Sequence, residues 1–152
     1  MPAMGAVCMA TLEVYGFEDL QDALAKLANI PFDVIEDALG SMADVAEPKI
    51  KAQGEAMGVR DPESDVHILD KIKRGKAKKM SDGGYLDITF SGSRTRNGIT
   101  TRNAEIAFVN EYGKQGQAAR PFIGLAMNQN ETKILDAAEE VIGDWIEKTF
   151  EA

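Results

Sequence analysis

The amino-acid sequence predicts an α+β fold: an antiparallel sheet of three to four strands packed against two long helices, with additional short helices. Three observations lead there. Apolar residues recur at three- and four-residue steps over long segments early in the chain and at its end. Two short strand-like runs flank Ser81-Asp82-Gly83-Gly84. The stretch from Asn103 to Met127 reads as strand, glycine turn, polar loop and proline-started helix. With 152 residues, 44% of them hydrophobic, the chain can bury one core. Residues 1–152 are therefore read as a single domain, with residues 1–9 as a flexible N-terminal arm.

In chain order, Ala10 to Val14 is a short first strand ending at Tyr15-Gly16. Phe17, Leu20, Leu24 and Leu27 predict a helix with Glu18, Asp19 and Asp22 near its positive end, and Asn29-Ile30-Pro31 breaks it. A second helix carries Ile35, Leu39, Met42, Val45 or Ala46, and Ile50 on one stripe. Pro48 falls inside it, so the helix must kink or lose the hydrogen bond to Asp44. Gly54 to Ser64 reads as a loop and Ile68 to Ile72 as a short helix, with His67 a partly exposed helical residue. Lys76 to Met80 and Tyr85 to Ser91 form a hairpin whose Leu86, Ile88 and Phe90 face the helices. Ser91 to Arg102 is a polar connection, long enough to be mobile or to reach a neighbour. Ile134 or Leu135, Ala138, Val141 or Ile142, Trp145, and Thr149 or Phe150 form a last helical stripe. There Trp145 is a core or subunit-contact anchor.

The segment from Glu105 to Tyr112, rich in aromatic and β-branched residues, reads as a strand with apolar groups on both faces. Gly113 supplies the positive φ that ends it, and Gly116 keeps the loop from Lys114 to Ala119 mobile. Pro121 starts a helix in which Phe122, Leu125, Ala126 and Gln129 face the sheet. Glu111 is either a solvent-facing acid at a sheet edge, or the partner of Arg120 or of an adjacent subunit.

The order Phe108-Val109-Asn110-Glu111-Tyr112-Gly113, then Ala119-Arg120-Pro121-Phe122-Ile123 and Ala126, resembles the tail-completion or neck proteins of long-tailed bacteriophages. Tyr15-Gly16-Phe17-Glu18-Asp19-Leu20 and His67-Ile68-Leu69-Asp70-Lys71-Ile72 extend the likeness, which covers about Leu12 to Phe150. Departures are Lys114 where the family often has Thr, Gly124-Leu125 before the helical Ala, and Gln53-Gly54 and Asp65-Val66 at two further motif positions. They touch loop geometry and hence the partner surface. The resemblance implies a structural virion protein, not an enzyme, whose copies associate into a ring, a hexamer, between tail and head. It also implies contacts with neighbouring head-tail connector and tail-tube or tail-terminator proteins, and assembly in the host cytoplasm. DNA would pass through the lumen without sequence-specific binding. The joining elements would be the two polar connections and their flanks: Arg94, Arg96, Arg102, Glu111, Tyr112, Lys114, Gln115, Gln117, Arg120 and Phe122.

Charge is unevenly spread. Residues 60–102 hold ten Lys or Arg against six Asp or Glu, and the flanks hold seven against nineteen, for a total of −8. The acidic flanks would line the lumen and repel DNA phosphates. A competing reading is a small nucleic-acid-binding module that uses Lys71, Lys73, Arg74, Lys76, Lys78 and Lys79. That run has no interleaved aromatics for base stacking and equally suits a solvated strand face. His67 lacks a His or Cys partner at ligand spacing, and Gly83-Gly84 lacks the rest of a phosphate loop. Glu36-Asp37 and Glu139-Glu140 fall on solvated helix faces. No catalytic, cofactor or metal residue is assigned, and no cofactor is expected. No apolar run approaches a membrane span of about 20 residues, and Met1 to Met9 lacks the charged start of a secretory signal. The lone Cys8 fits a reducing compartment.

Overall fold

The computed structural model describes residues 17–60 and 67–151. The expected first strand from Ala10 to Val14, the arm 1–9 and part of the loop before His67 lie outside the described residues. The fold mixes helix and strand, 60% to 18%, so helices dominate it. The helices are α1 (Phe17–Ala28), α2 (Phe32–Ala56), α3 (Asn103–Tyr112), α4 (Phe122–Gln129) and α5 (Glu131–Phe150), with a 3-10 turn at Ile68–Lys71. The strands are β1 (Ile72–Arg74), β2 (Lys78–Met80), β3 (Gly83–Tyr85), β4 (Ile88–Phe90), β5 (Ser93–Arg96) and β6 (Ile99–Arg102).

Helix α2 is the spine. Pro31, at φ −59°, precedes its first residue, and Pro48 lies inside it as expected. The small side chains Ala38, Ala43 and Ala46 are buried, which lets α5 approach closely. Ile134 of α5 is buried, and Ala138, Val141, Ile142 and Trp145 follow half-buried along the predicted stripe. Of the alternatives, Ile134 and Thr149 face inward, while Leu135 and Phe150 are 47% and 41% exposed. Helix α2 also runs past Gly54, where a loop was expected, and ends at Met57. Gly54 is buried and packs against Leu69 and Phe122, so tertiary contact outweighs its poor helix propensity.

The strands pair only two by two, β1 with β4, β2 with β3 and β5 with β6, all antiparallel. The expected sheet of three to four strands is therefore absent among the described residues. One reason is a bulge. Arg74 faces Ile88 while Lys78 faces Tyr85, so Gly75 to Ala77 oppose only Leu86 and Asp87, and the ladder breaks. The other is that Glu105–Tyr112, expected as a strand, lies inside α3. Its inner residues Asn103, Ala107 and Asn110 are buried at helical spacing. A hairpin forms where one was expected, but it turns on Ser81-Asp82 alone: Gly83 and Gly84 belong to β3, and the second strand is split into β3 and β4, with Leu86 and Ile88 half-buried and Phe90 buried. His67 is extended, immediately before the 3-10 turn, not helical.

The connection from Ser91 to Arg102, expected to be mobile, is a second hairpin. Asn97 at φ 53° and Gly98 at φ 78° supply the two left-handed residues of a tight type I′ turn, and Thr95 and Thr100 share a hydrogen bond at 2.8 Å across the strands.

The core gathers where α2 ends. Ile50, Val59, Ile68, Leu69, Phe90, Ala107, Phe122 and Ala126 pack together, with Phe90 and Phe122 edge to face, centroids 6.0 Å apart. Ion pairs hold the rim of this core. Arg74 reaches Glu47 at 2.8 Å and Asp44 at 2.7 Å, which raises its pKa further, Glu47 contributing most. Arg60 joins Asp70 at 3.0 Å and Glu55 at 3.1 Å, and Lys51 reaches Asp70 at 3.1 Å.

Two outcomes are expected. A Cβ on Gly54 would sit 2.5 Å from Leu69 Cδ2 and 3.1 Å from Phe122 Cδ2, both buried, whereas one on Gly40 would meet nothing within 4 Å. Overpacking of about 1–3 kcal/mol should outweigh a propensity gain of about 1 kcal/mol. Gly54→Ala should therefore lower the urea midpoint and Gly40→Ala raise it. Separately, hydrogen bonds first from Arg60 and then from Lys51 hold the Asp70 carboxyl down at about 2. A carboxyl whose folded pKa is depressed stabilises the fold above its unfolded pKa of about 3.9 and loses that contribution as pH falls toward 2. Urea midpoints between pH 5 and pH 2 should fall less steeply in Asp70→Asn than in the parent, and equal slopes would refute the assignment.

Candidate interaction surface

Helix α3 organises the region. On its inner side Asn103 Nδ2 donates to the Ser91 carbonyl at 2.7 Å, and the Asn103 amide donates to Gly92 O at 2.9 Å, tying the start of α3 to the base of the β5–β6 hairpin. Asn110 closes the other end, since its carbonyl accepts the Arg120 amide. On its outer side Phe108 and Tyr112, one helical turn apart, stack with centroids 4.8 Å apart and are 62% and 69% exposed.

Gly113 ends α3 at φ 77°, and a Cβ there would stand 2.9 Å from both Gln117 O and Ala119 N. The segment expected to be a loose loop is a closed turn. The Lys114 and Gln117 amides each donate to the other residue's carbonyl, at 3.1 and 2.9 Å, across Gly116 at φ 80°. Arg120 then donates from Nη1 to Gly58 O at 2.7 Å, fastening the turn to the end of α2.

Glu111 has a role that neither expectation gave it. Its carboxylate accepts the Ile123 and Gly124 amides, each at 2.8 Å, at the part-buried N-terminal end of α4. A helix N-terminus offers unpaired N–H groups and partial positive charge, so this one carboxylate caps α4 from outside the helix. Pro121 precedes α4 and contributes no side-chain cap. Arg120 points elsewhere, and no Glu111–Arg120 ion pair forms. Gly124 fits this arrangement, because a Cβ there would lie 3.0 Å from Glu111 Oε1.

Between α3 and the β5–β6 hairpin lies a groove of about 700 Å³, lined by Arg94, Arg96, Ile99, Glu105, Phe108 and Lys114 among others. Ile99, at the hairpin tip, is 69% exposed. Of the residues singled out in the sequence, Arg94, Arg96, Lys114 and Gln117 line this groove. Arg94 and Arg96 are also engaged elsewhere in the chain. Arg102 is 76% exposed and pairs with Glu105 at 3.0 Å. Tyr112 flanks the groove beside Phe108, and Gln115 is exposed in the turn. Phe122 is fully buried and belongs to the core. Phe108 and Ile99 were missed as surface residues. The signal for Phe108 was its four-residue spacing from Tyr112, and for Ile99 the Asn-Gly turn before it.

The basic run is divided. Lys71, Lys73, Lys76, Lys78 and Lys79 are exposed along the β1–β2 side, while Arg74 turns inward to Glu47 and Asp44. Among the described residues no group of three or more His, Cys, Asp or Glu side chains is gathered as a metal site would require. No described helix is long and apolar enough to cross a membrane. Comparison of the chain with protein-family models, with curated proteins and with solved structures returned no match.

Loss of the Glu111 carboxylate removes the cap of α4, a change that costs about 0.5–2 kcal/mol at a helix N-terminus. Glu111→Ala should destabilise the fold by about 2 kcal/mol, and Glu111→Gln, which keeps one acceptor oxygen, by less. Denaturant titration tests this, and two variants no less stable than the parent would show the cap to be idle.

Proposed function

We propose that this chain is a structural subunit of a long-tailed bacteriophage or prophage, a tail-completion or neck component that forms a ring around the DNA channel and joins tail to head. The observation that carries the reading is the apolar surface formed by Ile99, Phe108 and Tyr112, three large side chains each more than 60% exposed beside one groove. Water-exposed aromatic surface of this kind marks a protein-protein contact. It is held by a rigid helix-turn-helix unit, α3, the closed turn and α4, built from the residues that carry the resemblance to the neck family.

A ring generated by rotation needs each copy to offer one face to its neighbour, and a stiffly held patch satisfies that requirement without folding on contact. Further partners in this reading are the adjoining connector and the tail-tube or tail-terminator proteins, with assembly in the host cytoplasm and final residence in the virion. Glu36, Asp37 and Glu140 are exposed on their helices and are available to a lumen that DNA crosses without sequence-specific binding.

A phage lacking this gene should accumulate separate full heads and tails, and a plasmid copy of the parent chain should rescue plaque formation. Phe108→Asp, at a 62% exposed position, should fold normally by circular dichroism yet fail to rescue. Full rescue by Phe108→Asp, or normal particles without the gene, would remove the basis for this function. A steeply salt-dependent retention of DNA on filters by the lysine side of β1–β2 would instead favour a nucleic-acid-binding module.

A further inference from the structure

Resting on that reading, we propose that the groove beside α3 receives the outer face of α5 from a second copy of this chain, with Leu135 as the inserted side chain. A ring contact joins two different surfaces of the same protein, so a second exposed apolar site must exist away from Ile99, Phe108 and Tyr112. Helix α5 has one. Leu135 is 47% exposed although it lies on a helix packed against α2, and exposed Glu131 and Glu139 lie one turn to either side of it.

The charges of the two surfaces are opposite. Residues 131–150 carry six carboxylates against two lysines, and residues 93–120 carry five cations against two carboxylates. Glu111 is spent on the α4 N–H groups, Glu105 and Arg102 pair with each other, and Arg94 and Arg96 are engaged within the chain. Lys114 is exposed at the groove, where a carboxylate of an incoming helix would meet it. An apolar side chain flanked by acids therefore faces an apolar groove with Lys114 exposed at its rim, so the contact is complementary in polarity and in sign. Two copies meeting groove to groove would bring like charges together, which disfavours a symmetric pair.

The experiment is sedimentation of the parent chain, of Glu139→Lys, of Lys114→Glu and of the double exchange across a concentration series, with circular dichroism as the control for folding. Each single reversal should weaken self-association by about fivefold, as expected of one rim charge pair, and the double exchange should recover most of the loss. Leu135→Ser, an exposed position that should fold, should weaken it further. Rings that form unchanged in all the variants would overturn this pairing while leaving the connector role intact. Single reversals that abolish tail joining but not self-association would overturn it by assigning the groove to another virion protein. A parent chain that stays monomeric at every concentration and is missing from purified virions would overturn the pairing and the connector role together.

Discussion

The missing side chain at Gly54 is the constraint on which the remaining packing depends. Leu69 and Phe122 both enter the space a Cβ would occupy, and Phe122 meets Phe90 edge to face. One glycine thus joins α2, the 3-10 turn, β4 and α4. From Phe122 the chain of dependence runs outward. Helix α4 is fixed by Phe122, Glu111 reaches from α3 to the start of α4, and Phe108 and Tyr112 ride on the opposite side of α3. The exposed surface is held rigid by a buried contact on the far side of a two-helix unit.

Much of the helical framework was legible in the sequence, because long apolar stripes and prolines are strong local signals. Pro31 and Pro121 stand at helix starts, Gly113 has the left-handed conformation expected of it, and Leu86, Ile88 and Phe90 share the inward face. The segment from Glu105 to Tyr112 misled for a physical reason. Its large apolar residues suit a strand, while the inner face of the real helix is Asn103, Ala107 and Asn110, small or polar residues that carry little hydrophobic signal. The side-chain amides of Asn103 and Asn110 donate to backbone carbonyls, a fact visible only after folding.

The second hairpin was hidden by composition. Arg, Thr and Ser residues suggested a solvated linker, yet the backbone geometry is set by Asn97-Gly98, whose combination of left-handed residues outweighs polarity. The role of Glu111 was not readable at all, because its partners lie twelve and thirteen residues on and are main-chain groups. The same holds for Arg74, which belongs to a basic run in the sequence but turns toward acids twenty-seven and thirty residues earlier. Local charge counts describe a segment, whereas burial and pairing are properties of the fold.

The pairing of α2 with α4 and α5 also has a consequence for biosynthesis. Helix α2 emerges from the ribosome long before residues 122–150 exist to cover its alanine stripe and Gly54. Until then that part of α2 lacks the helices that cover it in the folded chain. The α2–α5 packing can therefore close only after α5 has left the ribosome, and holdase chaperones have their natural binding window between the release of α2 and the completion of α5.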